Sequence, residues 1–348
     1  MPKLAEACLV PAETQVRAPE HSAEETDAEA ARLFEKLGRI GHSLGQCRKF
    51  AKLTLKINRL KKLKNATILA HNYQRPEIIF GIADFAGDSL GLSVNASKTH
   101  ADEIIFCGVR FMAETAKILS PKKKVLLPDI EAGCSLAESI SAKDIRALKK
   151  LHPDAAVVCY VNTNADIKAE SDICCTSSNI QRVFDSLPNK KVIFVPDEFM
   201  AKNVAETTDK EIIRWKGRCI VHETFKEEML GEFRREHPEA KILSHLECSP
   251  AVIGISDMAG STSEMIGFVQ KSDAKNFLLA TECGLSEMMQ ANFPEKNFSG
   301  TCQICPYMKK ITLENVLYAL ENDRFEITVP EKTRVKAKTA LDRMMALS

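Results

Sequence analysis

The chain has 348 residues, 45% of them hydrophobic, and its 48 basic and 47 acidic side chains nearly cancel. That length allows two or three compact domains, and the lack of a basic excess excludes a surface built to track nucleic-acid phosphates. No apolar run reaches the roughly 18 residues of a membrane helix, and twelve cysteines without an N-terminal signal pattern point to a reducing cytoplasm, with buried thiols and metal ligands rather than a disulfide framework.

Residues 1–60 read as an N-terminal extension. The first thirty are polar and are expected to lack structure; the Glu and Asp across residues 19–30 also argue against a transit peptide. AARLFEKLGRIGHSLGQCRKFAKLTLKINRLKKLK then carries apolar positions at helical spacing on a basic background, which predicts helix with a solvated face.

From Asn65 onward the pattern changes. ATILAHNY, DEIIFCGV, KVLLPD, AAVVCYVN, KKVIFVPD, AKILSHLE and NFLLATE are short apolar runs bounded by turns, each followed by a helical pattern. Strands alternating with helices at this pitch predict an α/β chain with parallel sheets.

Three of these strands open equivalent units. ILAHNYQ leads to ADFAGDSLGLS, VVCYVNTN to SDICCTSSN, and ILSHLECS to SDMAGSTSEM; in each, a strand with a polar end is followed by a helix and then by a short strand that delivers small hydroxyl residues to a helix start. Met112, Met200 and Met288 recur at intervals of 88. The expected architecture is therefore three repeated αβα domains with small parallel sheets around a pseudo-threefold axis, at 61–145, 146–233 and 234–348, the last carrying a C-terminal helix.

The same period selects cysteines. Cys134, Cys219 and Cys305 are 85 and 86 residues apart, each closing its repeat, and no other cysteines form a complete set in that register. Cys305 also sits in a C-x-x-C with Cys302, the spacing of a zinc knuckle or redox dithiol, but Cys302 has no counterpart in the other repeats. Three thiolates meeting at the axis could hold zinc with an open fourth position, or a [4Fe-4S] cluster with one iron free of protein ligands, a Lewis acid for loss of water.

Ligands of parallel α/β sheets bind beyond the carboxyl ends of the strands. His71 and Tyr73, Tyr160 and Asn162, and His245 and Glu247 are thus expected around the axis, with His and Tyr moving protons or donating hydrogen bonds and Glu247 as a general base. Asp88-Ser89, Thr176-Ser177-Ser178 and Gly260-Ser261-Thr262 are expected at helix N-termini, where free N–H groups and hydroxyls suit phosphate and carboxylate.

The ordered motifs AHNYQ, GDSL, GVRFMAETAKIL, AGCSLA, YVNTNADIKA, CTSSN, WKGRCIVH, HLEC, GSTSEM, TECG and CPYMKKITLENVL, spread from about residue 66 to the C-terminus, resemble those of the quinolinate synthases, iron-sulfur enzymes of de novo NAD synthesis. The resemblance implies a [4Fe-4S] cluster on Cys134, Cys219 and Cys305 and condensation of iminoaspartate with dihydroxyacetone phosphate, releasing phosphate and two waters. It implies substrate binding by His71, Ser89, Tyr160, Asn162, Ser177, His245, Ser261 and Thr262, and proton-transfer or gating roles for Tyr73, His222 and Glu247. An aspartate oxidase or dehydrogenase is the implied source of iminoaspartate. HLEC departs from the family's usual H-P-E, so Leu246 is expected to loosen the strand end that aims His245 and Glu247. The alternatives are an iron-sulfur hydro-lyase, disfavoured by the lack of a paired C-x-x-C with a distant third Cys; a non-enzymatic iron-sulfur sensor, which has no need of anion-binding helix starts; and a structural zinc protein, in which Cys302 and Cys305 would both be ligands.

Overall fold

Each of the apolar runs becomes a strand, and the strands assemble into three separate four-stranded sheets. In the computed structural model, which describes residues 20–299 and 303–348, the first sheet holds β1 (Ala66–His71), β2 (Phe85–Gly87), β3 (Glu103–Cys107) and β4 (Lys124–Leu126). The second holds β5 (Ala156–Tyr160), β6 (Ile173–Cys175), β7 (Lys191–Val195) and β8 (Glu211–Arg214), and the third β9 (Lys241–His245), β10 (Met258–Gly260), β11 (Asn276–Ala280) and β12 (Asn297–Ser299). All pairings are parallel, and the orders β2-β1-β3-β4, β6-β5-β7-β8 and β10-β9-β11-β12 are one topology used three times.

Helices cover both faces of such sheets, so a central strand is buried on both sides and reads as unbroken apolar sequence. Every residue of β3 and β5 is buried. Phe106, Phe194 and Phe277, at most 2% exposed, anchor the three cores; cutting one back to Ala would cost about 3–5 kcal/mol. β8 and β12, with few buried residues, were not legible in the sequence.

An aspartate closes each unit in the same way. The carboxylates of Asp84, Asp172 and Asp257 accept the backbone N–H groups of Ile68, Val157 and Ile242 at 2.8, 2.8 and 2.9 Å. Each also donates its own N–H to the carbonyl of that same strand residue. The crossover from the first strand to the second is thereby pinned at matched register.

The N-terminal extension differs from expectation. Helix begins at Ala23, not beyond residue 30: Ser22 and Glu25 form a capping box, and Thr26, Ala30, Leu33 and Leu37 make a buried stripe. Alanine and threonine at the start of the stripe hid it from a search for large apolar residues. Residues 1–19 lie outside the described residues, as does Cys302. The second helix, Leu44–Leu63, carries its own capping box on Ser43 and Gln46. Its basic residues are not simply solvated: Lys61 pairs with Asp84 and Lys64 with Asp323, both at 2.7 Å. The hairpin joins the first unit to the third, since Arg32 donates to the carbonyl of Phe80 and Arg39 to that of Ala291.

The C-terminal helix, Glu331–Met345, follows the third unit in sequence yet packs on β6 and on the helix Ala165–Ala169 of the second. Arg343 donates to the carbonyl of Asp172 at 2.7 Å. No helix among the described residues is long and apolar enough to cross a membrane.

Candidate active site

The carboxyl ends of β1, β5 and β9 open on one cavity. Its lining includes thirteen of the fourteen candidate residues: His71, Tyr73, Ser89, Cys134, Tyr160, Asn162, Ser177, Cys219, His222, His245, Glu247, Thr262 and Cys305. Ser261 is the exception. It is buried and caps the helix Thr262–Lys271, accepting from the Glu264 N–H at 3.3 Å while its own N–H reaches the Glu264 carboxylate at 2.7 Å.

The first and third units aim their histidines identically. His71 Nδ1 accepts the N–H of Tyr73 at 3.2 Å, and His245 Nδ1 accepts the N–H of Glu247 at 3.3 Å. Each Nδ1 is an acceptor, so Nε2 carries the ring proton and is the donor. Burial holds both rings neutral, lowering His71 to about 4 and His245 to about 3. Two buried neutral N–H donors suit carboxylate, phosphate or hydroxyl oxygens. None of the described residues lining the cavity is Lys or Arg, so among them an anion would be held by such donors and by helix starts rather than by opposite charge.

Glu247 is the hub of a buried polar network. Its Oε1 accepts the Tyr160 hydroxyl at 2.6 Å and the Asn162 amide at 3.2 Å, and its Oε2 meets His222 Nδ1 at 2.9 Å. Burial alone would raise its pKa, but the adjoining His222 and His245 rings and hydrogen bonds from His222 and Tyr160 outweigh burial and hold the carboxyl well below the usual carboxylate range. Burial, reinforced by the Glu247 charge, keeps Tyr73 and Tyr160 protonated. Leu246 does not leave this strand end unsupported, because the Asn203 amide donates to the carbonyls of Leu246 and Cys248, both at 2.9 Å.

The three cysteines sit in equivalent turns. Backbone N–H groups two and three residues on point at each sulfur: Leu136 and Ala137 at Cys134, Val221 and His222 at Cys219, Tyr307 and Met308 at Cys305. Paired N–H donors of this kind favour thiolate. Burial opposes them, pushing Cys134 up to about 12 and raising Cys219 and Cys305; a bound cation would favour the thiolate of each. All three are free thiols. A Cβ at Gly217 would strike the Pro196 carbonyl and the Ser139 side chain; glycine there lets the Cys219 turn lie against the first unit. Cys219, His222 and Glu247 also offer ligand atoms within 4.8 Å of one another, close enough to share a metal ion.

The helix starts are more varied than expected. Ser89 and Thr262 are the first residues of ten-residue helices, whereas Ser177 lies in a turn before the short helix Ile180–Ser186. Thr176 is spent on Asn179. Asp88 caps its helix through Gly91 at 2.8 Å and ties the first unit to the second by accepting the Ser178 hydroxyl at 2.7 Å.

Sequence reasoning missed Thr281, whose hydroxyl bridges Tyr73 (2.5 Å) and His222 Nε2 (3.0 Å). It follows β11, the third strand of its unit, and the matching positions after β3 and β7 are Gly108 and Pro196, so the repeat carried no signal. Glu282 was missed too. Fully buried, it accepts the Cys305 N–H at 3.2 Å and pairs with Lys309 at 3.1 Å, and Lys309 donates to the Tyr73 carbonyl, which ties the Cys305 turn to the first unit.

Comparison with known proteins matches residues 55–346 to the family described as quinolinate synthetase A protein. The chain is 48% identical over 288 residues to a quinolinate synthase of Xylella fastidiosa, covering 83% of this chain and 85% of that one. It is 45% identical over 329 residues to a quinolinate synthase of Caulobacter vibrioides, covering 93% and 89%. With quinolinate synthase 1 of Mesorhizobium japonicum the identity is 49% over 286 residues, covering 82% and 88%.

Proposed function

The chain belongs to the quinolinate synthetase A family, and from that premise we propose that it condenses iminoaspartate with dihydroxyacetone phosphate to quinolinate, releasing phosphate and two waters. Cys134, Cys219 and Cys305 would hold a [4Fe-4S] cluster. When bound, such a cluster with three protein ligands supplies an open iron as a Lewis acid for loss of water. The observation that carries this reading is the repetition of one thiol turn, with the same two N–H donors, in all three units around one cavity.

The remaining residues divide between binding and proton transfer. The Nε2–H donors of His71 and His245, the helix starts at Ser89 and Thr262, and Ser177 would bind the carboxylates and phosphate. Glu247, ionised at neutral pH, would take a proton from the substrate, while Tyr73 and Tyr160, which keep theirs, would orient or donate. Tyr160 and Asn162 steady the Glu247 carboxylate and also line the cavity. Iminoaspartate would come from an aspartate oxidase or dehydrogenase in the same cytoplasm.

A second reading has one observation in its favour: the close grouping of Cys219, His222 and Glu247 would suit a single zinc ion. Metal analysis of anaerobically prepared protein separates the two. The cluster reading expects iron and acid-labile sulfide in equal amounts, reduced in Cys134→Ser, Cys219→Ser and Cys305→Ser but not in Cys302→Ser. Zinc without sulfide would replace it with the second reading.

A further inference from the structure

The second unit holds a thiol pair that does not line the active cavity. Where β5 pairs with β6, Cys159 stands opposite Cys174 and Tyr160 opposite Cys175. Paired residues of neighbouring strands point to the same face of a sheet and successive residues to opposite faces, with about 4.8 Å between strands. Cys159 and Cys174 therefore share a face at a separation that a disulfide spans, for which Cα atoms stand about 4.4–6.8 Å apart. Cys175 lies on the other face. Cys159 and Cys174 are free thiols and fully buried.

The surroundings treat the two sulfurs differently. The side chain of Lys168, also fully buried, donates to the carbonyls of Val161, at 2.9 Å, and of Thr163, and lies 5.5 Å from the centre of the Phe111 ring. Those partners are uncharged, and the anion that its charge favours is the Cys159 thiolate. The Thr163 hydroxyl meets Cys159 Sγ at 2.8 Å, placed to donate to it. Burial alone would raise the Cys159 thiol, but hydrogen bonds from Cys174, Thr163 and Ser171 and the charge of Lys168 outweigh burial and bring it below the ordinary thiol range. Burial and the neighbouring Cys159 keep Cys174 protonated.

From this placement we propose that Cys159 and Cys174 form a redox modification site, in which Cys159 attacks hydrogen peroxide and Cys174 closes the product to a disulfide between β5 and β6. The Cys159 thiolate attacks one peroxide oxygen, the O–O bond breaks, and a sulfenic acid and hydroxide result. The hydroxide takes the Cys174 proton and leaves as water. The Cys174 sulfur then attacks the Cys159 sulfur, and the S–O bond breaks to release hydroxide, which matches the proton that Cys159 gave up on ionising. The two sulfurs together lose two electrons, and the peroxide gains them. Burial demands a small oxidant. A void of about 10 Å³, about the room one water needs, is lined by Val161 and by Ser89, Phe111 and Met112, and the last three also line the active cavity. The bond would form one residue before Tyr160 and three before Ser177, which ties two strand ends of the active cavity to the redox state. The site does not depend on which reaction the cavity carries out.

The test treats the full-length, anaerobically purified protein with hydrogen peroxide, alkylates the remaining thiols in denaturant, and maps disulfides by mass spectrometry of tryptic peptides. The expected product joins residues 151–168 to residues 169–182, with fragmentation placing the bond at Cys174 and dithiothreitol reversing it. It should form about tenfold or more faster than Cys107 or Cys248 is oxidised, because these two thiols are equally buried and burial raises both. Cys174→Ser should stop at a Cys159 sulfenic acid that dimedone traps, and Cys175→Ser should form the bond as wild type does. The wild-type map decides the assignment even where a variant fails to fold. A bond at Cys175, a bond from either sulfur to Cys134, Cys219 or Cys305, oxidation of Cys107 or Cys248 at the same rate, or peptides that stay unlinked under peroxide would overturn it.

Discussion

His71 and His245 are buried as neutral rings, and that arrangement has a measurable cost in acid. In the unfolded chain both would take up protons through the ordinary histidine range near pH 6.5; in the folded protein burial delays uptake to about 4 and about 3. Between those limits the unfolded state binds more protons, so stability rises with pH, is fully present above the unfolded value and is lost as the pH falls below it. One pH unit below the unfolded pKa, each unprotonated ring forgoes about 1.4 kcal/mol, so lowering the pH from about 7.5 to about 5.5 should remove about 3 kcal/mol through the two rings together. Urea unfolding of wild type and of His71→Gln/His245→Gln at the two pH values measures this. The double variant should lose less stability than wild type by about that amount. Equal losses would show that the rings are not held neutral, and the assignment of their Nδ1 atoms as acceptors would fail with it.

Glu247→Gln keeps the shape of the side chain while removing its charge and its capacity as a base; kcat should drop by about 10²–10⁴-fold with the fold retained by circular dichroism. A rate within a few-fold of wild type would remove Glu247 from the chemistry. Asn203→Ala leaves the carbonyls of Leu246 and Cys248 without their donor; thermal unfolding should show a loss of about 1–3 kcal/mol, and an unchanged midpoint would mean that other contacts hold this strand end.

The three-unit architecture was legible because parallel strands buried on both faces must be written as continuous apolar runs, and because strand, hydroxyl cluster, methionine and cysteine recur at one spacing. What the repeat did not carry, the sequence did not reveal. Thr281 has a glycine and a proline at its counterpart positions, β8 has no fully buried residue, and the first helix begins on small residues whose burial depends on the hairpin partner, as Ala30 and Leu33 pack with Cys47 and Ala51. A hydroxyl at a helix start can serve the ligand, the helix or both, and the sequence does not show that the Ser261 hydroxyl accepts the Glu264 N–H. The hydrogen bonds that meet at Glu247 from Tyr160, Asn162 and His222 were likewise out of reach, since they join residues 25 to 87 positions apart.

The most direct measurement is quinolinate itself, quantified by mass spectrometry after anaerobically reconstituted protein is given iminoaspartate and dihydroxyacetone phosphate. Wild type should form it, and Cys134→Ser, Cys219→Ser and Cys305→Ser should each abolish it. Protein with a full complement of iron and sulfide that forms no quinolinate, or cysteine variants that form as much as wild type, would contradict the account.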